Sequence, residues 1–174
     1  MNIKDWNISR QIAWGIPIPA FQNIDDASDW IFSPDVDKET LSLNNKTYKR
    51  DADVFDTWFS SGQWPYLTLD YPNGDDYEYF YPTQFMGMGI DILNQWALRM
   101  IMLGLYNTGE VPFKDLYLHG MIRAEDGGKM SKSLGNFTDP NELMDKFSAD
   151  SLRFLLLSSP LLKGEDFALH DKDV

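Results

Sequence analysis

Two lysines stand three positions apart in the short polar segment Lys129-Met130-Ser131-Lys132-Ser133. Glycines border this segment at Gly127, Gly128 and Gly135, and they allow the backbone to bend. Ammonium groups on such a loop can neutralise phosphate oxygens whose negative charge grows as a bond to them breaks. Two lysines alone more often belong to a solvated surface loop, so the interpretation depends on the complete string and its surroundings.

The segments before the lysines predict a parallel sheet that would position them. Residues 83–86 have the pattern of a short buried strand, which ends in the turn Gly87-Met88-Gly89-Ile90-Asp91. A helix is predicted next, because apolar residues between Ile92 and Leu103 keep helical spacing and Gly109 is a suitable end. A second strand is predicted at residues 116–122. The order of strand, helix, strand and helix predicts an α/β fold with a parallel sheet.

Local signals also predict a turn and two helices after the second strand. Asp126-Gly127-Gly128 is a turn signal. Asp139-Pro140-Asn141-Glu142 is typical of a helix start, with Asp139 as the cap and Pro140 in the first turn. A last helix near residues 149–157 is apolar enough to be predicted as buried.

Two polar segments interrupt this pattern. Residues 25–50 are predicted to form a surface insertion, with a hairpin turn around Asn44-Asn45. Residues 70–78 are acidic, contain Pro72 and Gly74, and are predicted to form a loop.

The composition narrows the classes of protein and of site. The chain has 174 residues, 43% of them hydrophobic, which suits a folded domain and excludes a disordered chain. Disulfides and thiolate metal sites are excluded because there is no cysteine, and the separation of His119 and His170 gives no metal-ligand spacing. We therefore predict no metal held by protein ligands alone.

The charge and hydropathy patterns predict the kinds of partner and the cellular location of the protein. The net charge of -12 predicts that nucleic acid is repelled on average, so any polyanion must be met by a local cluster of cations. Apolar runs are too short to span a bilayer, and the first residues lack the apolar stretch of a signal peptide. These features favour a cytoplasmic protein without a membrane partner.

The full string of residues 129–133, followed by Leu134-Gly135-Asn136, resembles the KMSKS signature of class I aminoacyl-tRNA synthetases residue for residue. The likeness continues in order through most of the chain, outside residues 22–50 and 70–78. It includes Ile8-Ser9-Arg10-Gln11, Trp14-Gly15, Asp56-Thr57-Trp58-Phe59-Ser60-Ser61, Trp64-Pro65, Phe80-Tyr81-Pro82-Thr83, Arg99-Met100-Ile101-Met102, Gly109-Glu110-Val111-Pro112-Phe113-Lys114-Asp115 and His119-Gly120.

This resemblance implies a Rossmann-like parallel sheet with flanking helices, in a nucleotide-binding fold that an inserted editing domain splits in two. Residues 1–160 are expected to be the second half of the catalytic domain, and residues 161–174 the start of the stem-contact region. The family's other signature, HIGH, does not occur in the chain. We therefore expect the chain alone to be catalytically incomplete and to need the remaining synthetase domains, including those for editing and anticodon binding.

Within the family, the valyl enzymes are the most similar. The resemblance assigns Trp58, Ile92 and Trp96 to the valine pocket, where bulky rings would reduce its size to that of a branched side chain. Ile92 and Trp96 lie one helical turn apart, which ordinary core packing would also produce. The segment Trp14-Gly15-Ile16-Pro17-Ile18-Pro19 is closer to isoleucyl and leucyl enzymes, and a non-catalytic nucleotide-binding relative is a further alternative.

The resemblance also implies the chemistry: ATP activates valine to valyl-adenylate, and the valyl group then passes to tRNA. Lys129 and Lys132 would hold the β- and γ-phosphates, within an ATP-binding loop that includes Met130, Ser131 and Ser133, and Mg²⁺ would share the phosphate charge. Other residues expected at the ATP site are Gly87, Gly89, Asp91, His119 and Gly120. A simple helix cap remains the alternative for Asp91, and a buried structural role the alternative for His119.

Overall fold

The computed structural model describes residues 5–170. The chain divides into two compact units between Trp64 and Pro65. Each unit has its own sheet and is described separately. Among residues 5–170, no helix is both long and apolar enough to cross a membrane.

A four-stranded antiparallel sheet occupies most of the first unit, in the order β3-β2-β5-β4. Its strands are β2 (Ala20–Asn23), β3 (Trp30–Phe32), β4 (Thr40–Leu43) and β5 (Lys46–Arg50). Phe21 and Tyr48 are its buried aromatic residues. Asn44 and Asn45 have φ angles of 51° and 59°, as a tight hairpin turn with two left-handed residues requires. The predicted hairpin is therefore confirmed, and the polar segment around it forms a sheet.

One carboxylate, that of Asp29, is hydrogen-bonded to two strands of this sheet. A single Asp29 oxygen accepts hydrogen bonds from Lys46 Nζ at 2.7 Å, Asn23 Nδ2 at 2.9 Å and Tyr48 Oη at 3.0 Å. The Lys46 hydrogen bond is the largest cause of an Asp29 pKa lowered from 3.8 to about 2. The charged carboxylate thus links the loop before β3 to strands β2 and β5.

A short strand pair precedes the first helix. Strand β1 (Ser9–Arg10) runs antiparallel to β6 (Val54–Phe55), and an isolated bridge joins Pro17 to Val54. This bridge agrees with the extended backbone that paired prolines favour. Helix α1 (Thr57–Ser61) begins directly after β6, and α2 (Trp64–Leu67) follows it.

The second unit contains the predicted parallel strands. Strand β7 (Thr83–Gly89) pairs in parallel with β8 (Phe113–His119), and Gly89 lies opposite His119 in the register. A 3-10 turn (Ile90–Ile92), a π-helical turn (Leu93–Ala97) and helix α4 (Leu98–Thr108) connect the two strands. Gly109, at φ 78°, ends the helix by donating its backbone N–H to Leu105 O, which confirms the predicted stop.

Strand β7 is only partly buried, although the sequence predicted a buried strand. Met86 and Met88 pack with Ala97, Met100 and Phe113 to form a hydrophobic core. Alternate residues point to the other face, where Phe85 is 61% exposed and stacks on Tyr117. The strand is therefore half-buried within this chain.

The acidic segment before β7 also differs from its prediction. Helix α3 (Asp75–Phe80) begins inside the stretch that was expected to be a loop. Three acidic side chains lie in its first turn, where the positive end of the helix dipole stabilises negative charge. The same acidic residues that suggested a loop thus favour this helix start.

The chain after β8 forms a smaller packed region. Its elements are β9 (Ile122–Arg123), a 3-10 turn (Lys132–Leu134), α5 (Pro140–Phe147), α6 (Ala149–Ser158), a 3-10 turn (Pro160–Lys163) and β10 (Phe167–Ala168). Strand β10 pairs in parallel with β9. Leu143, Leu155 and Leu169 form a second buried core, which we call the leucine core.

Two predictions for this region have opposite outcomes. Asp139 accepts a hydrogen bond from the backbone N–H of Asn141 and Pro140 begins α5, which confirms the predicted helix start. Helix α6 was predicted to be buried, yet Phe154 is 75% exposed and Leu157 is 68% exposed. Leu155 is the buried residue of this helix, and the partly buried Leu152 also packs against the leucine core.

Candidate functional site

The carboxyl ends of β7 and β8 bring together three of the predicted ATP-site residues. A methyl group placed on Gly89 would lie 2.8 Å from Asp91 Oδ1 and 3.7 Å from His119 Cε1. Asp91 and His119 are both exposed, while Gly89 is buried between them. Ligands of open α/β sheets bind outside the carboxyl ends of the strands, so this edge is a suitable binding position.

The two glycines of the β7 end differ in what surrounds them. A Cβ on Gly87 would meet only the Phe85 ring, at 3.5 Å, and Gly87 is exposed. An incoming ligand can therefore approach the backbone at Gly87 closely. A Cβ on Gly89 would also press on Met121 Sδ at 2.9 Å, so Gly89 is needed for packing as well.

Gly120 is enclosed by the protein itself. Its backbone N–H donates to Leu161 O at 2.9 Å, and a Cβ there would lie 1.9 Å from Glu165 O and 3.0 Å from Asp166 N. Both of these clashes involve backbone atoms, which cannot rotate away. The fold therefore gives Gly120 a structural role, while its predicted contribution to an ATP site stays a prediction.

We expect Gly120→Ala to destabilise the chain by about 2 kcal/mol, because the added methyl group overpacks the junction with residues 161–166. Urea denaturation of the chain, followed by far-UV circular dichroism, measures this change. Gly127→Ala controls for loss of a glycine at an open position, because a Cβ on Gly127 meets nothing within 4 Å. Gly127 has φ 79°, so its control cost of about 1 kcal/mol reflects backbone strain alone. Equal stability of wild type and Gly120→Ala would contradict the packing role.

The lysine segment sits on a hairpin that starts at β9. Arg123 and Lys129 form an antiparallel bridge, and the Ala124 N–H donates to Gly128 O at 3.0 Å. Gly127 occupies the left-handed region at φ 79°, and the Gly128 N–H donates to Asp126 Oδ1 at 2.8 Å. The predicted turn at residues 126–128 is therefore confirmed, and it directs the chain into Lys129.

Asn136 closes the loop that carries the lysines. Its Oδ1 accepts from the Ser131 N–H at 2.8 Å, and its Nδ2 donates to Lys129 O at 3.1 Å. Met130, between these two residues, packs against the leucine core. These hydrogen bonds and this packing give residues 129–131 partners within the chain.

The two lysine side chains of this loop reach solvent. Lys129 and Lys132 are both exposed, and Lys132 Nζ lies 5.4 Å from the centre of the Phe137 ring. The Ser131 and Ser133 hydroxyls are hydrogen-bonded to each other at 2.8 Å. The loop thus fixes its backbone and leaves two cations available to an anionic ligand.

The residues predicted for the amino-acid pocket fall in both units. Ile92 and Trp96 lie in the turns after β7 and are partly buried against the core that contains Met86 and Met100. Trp58 lies in α1 of the first unit and is partly buried. Their joint role in a pocket stays a prediction.

Asp56 holds Trp58 in place, and the sequence analysis did not assign it this role. Asp56 is buried, and its Oδ1 accepts from the Trp58 N–H at 3.2 Å as the cap of α1. Its Oδ2 accepts from Trp6 Nε1 at 2.7 Å and from Arg10 at 2.6 Å. The only sequence signal was the occurrence of Arg10 and Asp56 in two separate family-like segments.

Mg²⁺ is the metal ion that the family resemblance implies. Within residues 5–170, no group of three or more His, Asp or Glu side chains could hold a metal ion. Mg²⁺ usually binds through one or two carboxylates together with substrate phosphates and water. A larger cluster of protein ligands is therefore not required for Mg²⁺ that binds with ATP.

Comparison with known proteins agrees with this geometry. The family model "tRNA synthetases class I (I, L, M and V)" matches residues 1–168. The valine–tRNA ligase of Clostridium acetobutylicum is 48% identical over 158 residues, which is 90% of this chain and 18% of that protein. The corresponding ligase of Clostridium tetani is 44% identical over 99% of this chain and 20% of its own length. The chain thus spans about a fifth of these relatives.

Solved structures share the fold. The LeuRS of Agrobacterium radiobacter K84, in a ternary complex with tRNA and LeuAMS, is similar with a TM-score of 0.71 and 25% identity, over 98% of this chain and 26% of that one. A methionyl-tRNA synthetase of Mycobacterium tuberculosis has a TM-score of 0.66 at 24% identity, over 97% of this chain and 28% of that one. The predicted Rossmann-like α/β fold is confirmed. From its lysine loop, its parallel strands and these matches, the chain belongs to the class I tRNA synthetases.

Proposed function

We propose that this chain contributes the KMSKS-bearing part of a valine–tRNA ligase, which activates valine with ATP and transfers it to tRNA. The observation that carries the proposal is the lysine loop, with two exposed ammonium groups on a backbone that Asn136 and the leucine core hold. The identity to valine–tRNA ligases over most of the chain supports the choice of amino acid.

The proposed reaction needs no protein nucleophile. The valine carboxylate attacks the α-phosphorus of ATP, a bond to the bridging oxygen breaks, and pyrophosphate leaves. A hydroxyl of the terminal adenosine of tRNA then attacks the activated carbonyl and releases AMP. Catalysis therefore rests on positioning and on stabilising the charge of the departing pyrophosphate.

Each site residue has a role in this scheme. Lys129 and Lys132 contact the β- and γ-phosphates, and Met130, Ser131 and Ser133 set the backbone between them. Gly87 and Gly89 let ATP approach the end of β7. Asp91 accepts a hydrogen bond from the ribose or from the valine ammonium, and His119 and Gly120 border the adenine. Mg²⁺ would be held mainly by the ATP phosphates, which are its usual ligands at such sites together with water and one or two carboxylates.

The proposed amino-acid pocket is lined by Trp58, Ile92 and Trp96. Bulky rings exclude larger side chains, whereas an apolar pocket discriminates weakly against threonine, a limitation for which valyl enzymes are a known example. The segment Trp14 to Pro19 favours isoleucine or leucine as second candidates. A non-catalytic nucleotide-binding role is less consistent with an intact pair of exposed lysines.

The remaining partners follow from the same proposal. With a net charge of -12 the chain repels polyanions on average, so tRNA and ATP phosphates must meet local cations such as the lysine loop. The other synthetase domains are proposed as protein partners, with residues 161–174 starting the stem-contact region; their last four residues lie outside the described part of the chain. We propose a cytoplasmic location, where tRNA and ATP are available.

The test uses a chimaera in which this chain replaces the segment of the Clostridium acetobutylicum ligase that it matches at 48% identity. We expect valine-dependent ATP–pyrophosphate exchange and valylation of tRNA. Isoleucine and leucine should be activated at least tenfold less efficiently, since one misfitting methylene costs about 1–3 kcal/mol. The chain alone should show no exchange, because it does not contain the HIGH signature. In the chimaera, the rest of the relative would provide that signature.

Two outcomes would contradict the proposal. A folded chimaera that binds ATP but activates no amino acid would favour the non-catalytic alternative. A chimaera that prefers isoleucine or leucine would move the assignment to those branches of the family. The unmodified Clostridium acetobutylicum enzyme, assayed in parallel, controls for the activity of the surrounding domains.

A further inference from the structure

An ion pair lies at the base of the lysine hairpin. Arg123 donates from Nε to Asp166 Oδ2 at 2.8 Å and from a terminal nitrogen to the same oxygen at 2.5 Å. The other carboxylate oxygen, Oδ1, accepts from the Met121 N–H at 2.8 Å. Asp166 therefore holds both the backbone before β9 and the side chain of the strand that enters the lysine hairpin.

Backbone hydrogen bonds reinforce this junction. Phe167 N donates to Met121 O at 3.0 Å, and Leu169 N donates to Arg123 O at 3.1 Å, as part of the parallel β9–β10 pair. The backbone of Arg123 is at the same time bridged to Lys129. Arg123 thus contacts the lysine hairpin through its backbone and Asp166 through its side chain.

The same junction reaches the middle of the lysine loop through packing. Leu169 follows β10 directly and belongs to the leucine core, against which Met130 packs. Met130 lies next to Lys129 and two residues before Lys132. A shift of β10 would move Leu169, and a shift of Leu169 would change the position at which Met130 packs.

We propose that Arg123 and Asp166 are a positioning pair, which places the lysine loop so that Lys132 meets the departing pyrophosphate. Charge-assisted hydrogen bonds from one guanidinium define a direction as well as a distance, which suits them to orient a hairpin. Neither side chain contacts the reactants in this scheme; both act through the lysines. The inference rests on the proposed function, and it makes residues 161–169 part of the activation machinery.

The first test compares Asp166→Asn and Arg123→Lys in the chimaera. Asp166→Asn keeps an acceptor for the Met121 N–H but loses the charge, and Arg123→Lys keeps the charge but loses the fork of donors. Each should lower kcat for valine-dependent pyrophosphate exchange about tenfold, because a displaced Lys132 stabilises the departing pyrophosphate less well. The valine KM should stay within about twofold, since uniform binding is not altered.

The matched control is Asp150→Asn, which removes an ion pair of the same type from Arg153, where the two side chains are 93% and 75% exposed. This change should leave kcat unaltered, because exposed pairs contribute little. An equal loss of kcat in Asp150→Asn and Asp166→Asn would overturn the proposal, and so would an effect on the valine KM alone.

A double substitution separates positioning from general stability. If Asp166 acts through Lys132, Asp166→Asn should cause little further loss of kcat in a Lys132→Ala background. Additive losses would show that the pair acts independently of Lys132 and would overturn the proposal. Arg123→Lys in the same background repeats the test with a variant that keeps its charge.

Limited proteolysis distinguishes failure of this inference from failure of the proposed function. Trypsin cleavage after Lys129 and Lys132, followed by mass spectrometry of the chimaera, needs no enzymatic activity. Asp166→Asn should accelerate cleavage at these two lysines severalfold, whereas Asp150→Asn should not. Unchanged cleavage would refute the coupling even in an inactive chimaera, and accelerated cleavage there would support it while the proposed function fails.

Discussion

Replacing Lys132 by alanine in the chimaera is expected to slow valyl-adenylate formation about a hundredfold, or about 3 kcal/mol in activation free energy. Lys132 carries an exposed ammonium group on a loop whose backbone is tied by Asn136. Negative charge builds on the departing pyrophosphate, so the contact strengthens only in the transition state. Such a contact changes the rate of the chemical step and leaves the affinity for valine nearly unchanged.

The measurement is rapid-quench adenylate formation at varied valine concentrations. Lys132→Arg should recover only part of the rate, because a planar guanidinium fork differs from a compact ammonium group. Trp58→Ala is the contrasting variant, and it should mainly raise the dissociation constant for valine. If Lys132→Ala weakened valine binding and left the chemical rate intact, the loop would act as a structural clamp.

The second large effect is expected in the first unit, where Asp56→Ala should lower the free energy of unfolding by about 3 kcal/mol. Asp56 is buried and is the common acceptor for Trp6, Arg10 and the Trp58 N–H. Alanine would leave those donors without this acceptor and would remove the cap of α1. Arg10 is 39% exposed, so water compensates part of the lost ion pair and keeps the cost at the lower end of the range for buried pairs.

Urea denaturation of the chain, followed by tryptophan fluorescence, tests this expectation. Asp56→Asn should lie between wild type and alanine, because it can still cap the helix but does not carry the charge. The matched control is Asp35→Ala, which breaks the exposed Lys38–Asp35 pair of the same unit and should cost less than about 0.5 kcal/mol. An Asp56→Ala variant as stable as Asp35→Ala would show that the buried network contributes nothing net.

The site predictions depended on different kinds of information. The lysine string identified the loop because its chemistry lies within five consecutive residues. The ties that hold this loop were not predicted, because Asn136 was known only as part of a sequence motif. Asp166 lies 43 positions from Arg123, and Asp56 lies 46 positions from Arg10. No local pattern pairs residues at such separations.

Gly120 shows how one residue can have two explanations. The family resemblance assigned it to the ATP site, next to His119 at the end of β8. The structure places its Cα against the backbone of Glu165 and Asp166, so that any side chain would clash. Chain crossings of this kind depend on packing between distant segments, and a glycine in the sequence does not reveal which neighbour requires it.

The sequence by itself determined the features whose physical cause is local. Left-handed Asn44-Asn45 and Gly109, the Asp139 cap and the parallel β7–β8 pair all follow from residue preferences or from short-range periodicity. Only the tertiary structure decided that residues 20–50 form a four-stranded sheet, that α6 leaves Phe154 exposed, and that Arg123 meets Asp166. These features depend on which distant surfaces bury one another, and burial is a property of the assembled chain.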